Sequence, residues 1–274
     1  MPELPEVESV RRVLEPQLAG RTIVRTRLLW PGIAAHPALE DFINGTEGQR
    51  IAAMTRRGKF LGLRFASGAE LVLHLRMTGQ LLRTPAYFPE EKHTHAVFSL
   101  DDGGELRYLD LRRFGRFWLL AAGENDDVTG RAGLGPEPFD AVVSGDYLRD
   151  KLGRSRRAVK SCLLDQSVLA GIGNIYADES LFRAGIRPAR PACDLSNAEW
   201  TRLAAVIPAV LQEAIDTIAW TPEEYMRTRG LEYRNTPLLQ AYGRAGQPCG
   251  RCGAPIESLR VGGRTSCFCP NCQK

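Results

Sequence analysis

Near the start of the chain apolar residues fall at Val7, Val10, Leu14 and Leu18, three or four positions apart, the spacing that lines one face of a helix. The pattern predicts a helix over Pro5–Leu18. Pro5 suits its first position, Glu6 and Glu8 suit the positive end of its dipole, and Pro16 and Gly20 mark its end. From Thr22 to Ala122 the period shortens to two. Leu61, Leu63 and Phe65 alternate with Gly62 and Arg64. Glu70–Leu75 and Phe117–Ala121 read as further strands, and Ala96–Leu100 and Glu105–Leu109 flank the turn Asp101-Asp102-Gly103-Gly104. Short strands separated by turn residues predict an antiparallel sandwich. Glu124–Pro138 reads as a linker. From Gly145 to about Arg229 the helical period returns. It is clearest after Ser196-x-x-Glu199, a capping box followed by a stripe from Trp200 to Ile218, with a kink expected at Pro208.

Composition adds limits. The chain has 274 residues, 43% hydrophobic and 25% charged, which excludes a chain disordered throughout. The longest apolar run, Phe117–Ala122, is far short of the roughly 20 residues that span a bilayer, and Pro2, Glu3, Glu6 and Glu8 stand where a secretory leader would be. A cytoplasmic protein without a membrane segment is expected. The net charge of +4 says little by itself. Its distribution says more, because basic residues cluster at Arg11-Arg12, Arg56-Arg57-Lys59, Arg112-Arg113-Arg116 and Arg154-Arg156-Arg157-Lys160.

Three segments carry candidate chemistry. Of seven cysteines, Cys249-x-x-Cys252 and Cys269-x-x-Cys272 form two knuckles that close a tetrahedral zinc site, a zinc ribbon holding one structural Zn²⁺. Four thiolates leave no open coordination position. Cys267 is a rival ligand, but its one-residue gap to Cys269 suits a knuckle badly. Gly262-Gly263 make the hairpin tip, with Arg264 just after it. In Gly171-Ile172-Gly173-Asn174, Asn174 is placed to cap a helix ending near Ala184, a backbone corner suited to phosphate or simply to packing. Finally, removal of Met1 would leave Pro2 as a free secondary amine. Such an amine has a pKa near 7.7–8.0, attacks aldehyde carbon and yields an iminium electron sink, with Glu3 and Glu6 beside it to move protons. The same residues also make a good helix start.

Pro2-Glu3-Leu4-Pro5-Glu6-Val7-Glu8 resembles the opening of the bacterial formamidopyrimidine-DNA glycosylase family. The likeness continues in order through Arg57-Gly58-Lys59-Phe60-Leu61, His74-Leu75-Arg76-Met77-Thr78-Gly79, Lys92-His93-x-His95, Asp110-x-Arg112-Arg113-Phe114-Gly115, Leu134-Gly135-Pro136-Glu137-Pro138, Gly171-x-Gly173-Asn174-Ile175-Tyr176 and the terminal finger. It covers nearly the whole chain. The resemblance implies a bifunctional DNA glycosylase and abasic-site lyase acting on damaged double-stranded DNA as a monomer. Pro2 would attack the deoxyribose C1′ and expel the base. Glu3 would protonate the opened sugar with Glu6 in support, Lys59 would serve β-elimination, and Arg264 would hold phosphate and serve δ-elimination. Met77, Arg112 and Phe114 would fill the gap left by the flipped nucleotide. His93, Arg156, Lys160 and Asn174 would grip DNA phosphates, with Tyr176 in the same DNA-binding set. His74 is expected to pack on its strand.

The implied fold is α+β and multidomain: residues 1–130 an N-terminal helix on an antiparallel β-sandwich, 131–237 a helical domain with a helix–two-turn–helix motif, and 238–274 a zinc finger. Family members usually carry Gly where this chain has Arg76. They also differ at Ile218-Ala219-Trp220-Thr221 and across Arg229–Asn235, the stretch expected to cover the flipped base. The expected substrates are ring-opened purines and 8-oxoguanine. Two alternatives are a preference for oxidised pyrimidines and a lesion-binding protein without catalysis.

Overall fold

Two sheets and one helix enclose the first core. The computed structural model describes residues 1–229 and 239–274. Helix α1 (Leu4–Leu18) opens the chain and continues through Pro16. Then come β1 (Ile23–Leu28), β2 (Ala34–His36), α2 (Leu39–Thr46), β3 (Ile51–Arg57), β4 (Phe60–Phe65), β5 (Glu70–His74), β6 (Gly79–Pro85), β7 (Thr94–Leu100), β8 (Gly104–Asp110) and β9 (Arg116–Leu120). One sheet has the order β1-β7-β8-β6 and the other β2-β9-β5-β4-β3. All pairings are antiparallel except β2 with β9, so the second sheet is mixed where an antiparallel sandwich was expected. β2 has only three residues and follows a five-residue connection from β1 that contains one helical turn, Pro31–Ile33, which turns the chain so that it runs beside β9 in the same direction.

The period-two pattern sorts side chains as predicted. Phe117 and Leu119 of β9 face the main core with Leu61, Leu63, Leu71 and Leu73, while Trp118 and Leu120 pack with Val72 on the other face. Across the core, Phe117 lies 4.9 Å from Tyr108 and 6.2 Å from Phe98 of the first sheet. The α1 stripe Val7, Val10, Val13, Leu14 and Leu18 belongs to the same core. Glu8 ties α1 to β3 through Arg56 at 3.0 Å.

The second group of elements is helical: α3 (Gly145–Leu152), α4 (Val159–Leu163), α5 (Asn174–Ala184), α6 (Asn197–Thr217) and α7 (Pro222–Thr228). Ser196 and Glu199 cap α6 reciprocally, and the helix continues through Pro208. Gly185, at φ +71°, ends α5 in the left-handed conformation that glycine adopts without strain. Asn174 is not the cap of α5. Gly173 is, and Asn174 occupies the first helical position, leaving its amide to bond elsewhere. The finger hairpin is β10 (Glu257–Val261) with β11 (Arg264–Phe268).

By contacts the chain forms two compact units. The first is Met1–Ala132 with the described residues from Ile218 to Arg229, and the second is Gly133–Thr217 with the described residues of the C-terminal finger. Helix α7 therefore returns to the β-sandwich unit, where the Tyr225 hydroxyl donates to Leu81 O at 2.8 Å. The divergent segment Ile218–Thr221 is its lead-in. Thr221 caps α7, and Trp220 packs 5.3 Å from Tyr225. The expected junction at 237/238 and the segment Gly230–Asn235 lie outside the described residues.

Arg76, the departure from the family's usual glycine, has φ +55°. A side chain there costs about 1–2 kcal/mol, against roughly 0.5–1 kcal/mol for glycine's greater unfolded-state entropy. Arg76→Gly is accordingly expected to leave stability unchanged or raise it by up to about 1 kcal/mol. Chemical denaturation checks this, and a clear loss of stability would contradict the strain.

Candidate active site and metal centre

The first candidate cluster is built by the cap of α1. Glu3 is the N-cap residue, and its backbone N–H donates to Glu6 Oε2 at 2.7 Å in a capping box. Glu3 and Glu6 are both buried, because closing the helix start over the sandwich leaves them no outward path. Pro2, half-buried, lines a small pocket with Glu6, Met77, Gln80, Tyr225 and Arg229. Lys59 occupies the two-residue turn between β3 and β4 and is 7% exposed. Gly58, at φ +57°, makes that turn possible. His74 packs edge-on against Phe60 with ring centres 4.6 Å apart, as a packing residue should. Burial, with the charges of Arg76 and Lys59, pushes its pKa down to about 3, so it is neutral at physiological pH.

The three expected gap-filling residues come together on two loops of the same unit. The guanidinium of Arg112 lies 4.4 Å from the centre of the Phe114 ring, and its Nη1 is 2.8 Å from Met77 Sδ. Met77 is 40% and Phe114 46% exposed. His93 stands nearby in sequence to β7 with φ +70°. Its backbone O accepts from Asp110 N.

In the second unit the expected phosphate residues divide. Arg264 follows the glycine pair of the finger tip, where Val261 pairs with Arg264 across a two-residue turn with φ +55° and +77°. It is exposed, and with Arg157 and Ser161 it lines an open polar hollow. Arg156 is exposed but does not line that hollow. The run Arg154–Lys160 pointed to this place, and sequence alone did not single out Arg157.

Lys160 requires correction. It is fully buried, its ammonium 2.7 Å from Asp178 Oδ1 and 3.1 Å from Thr265 O, so its charge is spent inside the unit and is not offered to a phosphate. Burial pushes the Asp178 carboxyl upward against the pull of Lys160, Ser266 and the Cys267 N–H. Asn174 Nδ2 also donates to Thr265 O, at 3.2 Å. Tyr176 is 4% exposed and packs in the core of this unit, where a DNA contact was expected. Next along α5, Glu179 accepts the N–H groups of Gln240, Ala241 and Tyr242 at 2.8–2.9 Å. Sequence reasoning missed both acidic residues, since two consecutive carboxylates on a helix look like a solvated face.

At the finger, the sulfurs of Cys249, Cys252, Cys269 and Cys272 all lie within 4.8 Å of one another, with Cys249–Cys272 at 3.9 Å and Cys252–Cys269 at 3.5 Å. A Zn–S bond of about 2.3 Å in a tetrahedron separates sulfurs by about 3.8 Å, so the four residues fit zinc. Cys267 is buried outside this cluster, its N–H on Asp178.

A β-sandwich unit with buried carboxylates beside Pro2 and an exposed aromatic–guanidinium pair occurs in one chain with a helical unit and a four-cysteine finger. This combination defines the class of DNA glycosylases with a β-sandwich, a helix–two-turn–helix domain and a zinc finger. Residues 1–117 match the Formamidopyrimidine-DNA glycosylase N-terminal domain, 134–223 the Formamidopyrimidine-DNA glycosylase H2TH domain, and 246–274 the zinc finger found in FPG and IleRS. The formamidopyrimidine-DNA glycosylase of Geobacillus kaustophilus is 46% identical over 275 residues, covering 100% of both chains. That of Bacillus subtilis is 42% identical, covering 100% of this chain and 99% of its own. The Lactococcus lactis FPG (MutM) in complex with a FAPY-dG containing DNA matches with TM-score 0.89 and 34% identity, over 99% of this chain and 100% of that one. The chain belongs to the formamidopyrimidine-DNA glycosylase family.

Two outcomes follow from this geometry. Cys252→Ser is expected to reduce bound zinc from about one equivalent to none, measured by a colorimetric chelator after denaturation. Asp178→Ala leaves the Lys160 ammonium buried without its carboxylate and is expected to cost about 3–5 kcal/mol in the second unit. Thermal or denaturant unfolding measures it, and a loss below about 1 kcal/mol would show that Lys160 finds water instead.

Proposed function

We propose that this protein removes oxidised and ring-opened purines from duplex DNA and then nicks the strand as an abasic-site lyase. Membership of the family supports the activity. The observation that carries the assignment of residues is the reciprocal cap of α1, which holds Glu3 and Glu6 at the root of Pro2. Met1 must be removed, since only then is the Pro2 nitrogen a secondary amine. The amine adds to C1′ of the flipped nucleoside while the bond to the base breaks; the base leaves with its bonding electrons, and the proton given up by the amine nitrogen goes to the departing base. Glu3 delivers a proton to the ring oxygen as the sugar opens, leaving an iminium between Pro2 and C1′. Loss of a C2′ proton expels the 3′ phosphate, and a second elimination expels the 5′ phosphate. Lys59 serves the first elimination and Arg264, through phosphate, the second.

The Lactococcus lactis enzyme has also been captured with an oxidized pyrimidine containing DNA, at 34% identity and TM-score 0.90, so a lesion panel should include pyrimidines. Action on chromosomal DNA supports reading the protein as one that works in the bacterial cytoplasm.

Intact mass should show loss of Met1. Borohydride should trap one covalent adduct with lesion DNA, mapped to residue 2. Glu3→Gln is expected to lose base excision while trapping abasic DNA, and Pro2→Gly, a primary amine, to keep part of the lyase activity. An adduct on Lys59 would falsify the role of Pro2, and wild-type excision by Glu3→Gln would remove Glu3 as the acid.

A further inference from the structure

Asp110 ends β8 between the two loops that carry the gap-filling side chains, and both of its carboxylate oxygens are taken up by them. Oδ1 accepts from the Thr78 hydroxyl, beside Met77, and from the Arg112 N–H at 3.1 Å. Oδ2 accepts from the N–H groups of Phe114 at 2.8 Å and Gly115 at 2.9 Å, and from the Tyr108 hydroxyl at 3.1 Å. The backbone of Asp110 adds two more links, its N–H to His93 O at 3.0 Å and its O to His95 Nε2 at 2.8 Å. One 1% exposed residue is thereby bonded to residues on every loop segment of this unit to which a role in DNA binding is given.

Two independent features show that this arrangement is built. Among the described residues four non-glycine positions have φ well above zero, and three of them are Arg76, His93 and Arg113. Arg76 precedes Met77, and Arg113 separates Arg112 from Phe114. Such conformations persist only where neighbouring structure over-determines them. Furthermore, a Cβ at Gly79 would fall 2.4 Å from the Tyr108 hydroxyl oxygen and one at Gly115 would fall 1.8 Å from it. Both loops close on the Tyr108–Asp110 pair only because these two positions lack side chains. Burial raises the Asp110 carboxyl, but the Thr78 hydroxyl and the N–H groups of Gly115, Arg112 and Phe114 outweigh it and hold the group below the ordinary carboxylate range. Five donors converge on an acceptor that is ionised.

We infer that Asp110 is the positioning residue of the gap-filling triad, locking the Met77 loop and the Arg112–Phe114 loop into one rigid wedge that holds the nucleotide out of the stack. The inference rests on the proposed glycosylase function and adds to it a residue that touches neither base nor sugar. A wedge has work to do only when a paired, stacked base must be withdrawn. The chemistry at C1′ does not pass through Asp110.

The test separates those two demands. Asp110→Asn preserves shape but turns an amide donor toward other donors, so the clamp cannot re-form. Its excision of 8-oxoguanine and of a formamidopyrimidine from duplex DNA is expected to fall about tenfold or more. Borohydride trapping on a single-stranded oligonucleotide carrying an abasic site should stay within about twofold of wild type. A 2-aminopurine next to the lesion should lose most of its fluorescence rise on binding, a signal that reports base withdrawal and is independent of turnover. Thr78→Val removes one donor and keeps the rest, so it tests the clamp even where Asp110→Asn folds poorly. It is expected to lower duplex excision selectively, with Thr78→Ser restoring it. Equal loss on duplex and single-stranded substrates, or unchanged duplex excision and 2-aminopurine response in both Asp110→Asn and Thr78→Val, overturns the inference. Failure of the wild-type protein to trap abasic DNA would instead overturn the function on which it rests.

Discussion

The start of α1 needs acceptors for its unpaired N–H groups, and that need sets the terms for the rest of the first unit. The acceptors supplied are carboxylates, from Glu3 and Glu6, in place of the usual hydroxyl or amide of an N-cap. Carboxylate acceptors suit the positive end of a helix. The helix in turn must be anchored, and its stripe from Val7 to Leu18 does so by joining the core shared by both sheets. Residue 2 is thus fixed relative to both carboxylates by the same bonds that begin the helix. A chain terminus would otherwise fray.

The second unit solves a related problem with a different device. A finger with so small an apolar content gets its internal order from metal, but its orientation must come from outside. Asp178 and Glu179, successive on α5, supply it. One takes Lys160, Ser266 and the Cys267 N–H, and the other takes the three N–H groups ahead of the first knuckle. Lys160 and Asn174 both donate to Thr265 O, the carbonyl next to Arg264. Two residues expected to touch DNA therefore also set where the arginine that follows the finger tip begins.

Much of this was legible in the sequence, for physical reasons that differ by element. The strands of the sandwich announced themselves because each buries one face, so Phe117 and Leu119 alternate with Trp118 and Leu120. The cysteine knuckles were legible because metal geometry imposes a spacing. The burial of Lys160 and Tyr176 was hidden because a basic or aromatic residue inside a phosphate-binding motif looks the same whether its side chain faces the ligand or the core. The role of Asp178 was hidden for the converse reason, since its partners lie 18 residues before it, at Lys160, and 88 and 89 residues after it, at Ser266 and Cys267. The parallel pairing of β2 with β9 was invisible because three residues carry too little periodicity to reveal direction.

The return of α7 to the sandwich has a consequence for the order in which a ribosome can finish this protein. Leu81 O and the Tyr225 hydroxyl that satisfies it are 144 residues apart, and the whole first part of the second unit is synthesised between them. At about 5–20 residues per second, the nascent sandwich waits on the order of ten seconds or more with that carbonyl, and the apolar surface that Tyr225 covers, still open. The pocket wall next to Pro2 is among the last parts of the first unit to close. The Met1–Pro2 peptide bond is thus open to the enzymes that trim initiator methionine before α7 completes the pocket beside it.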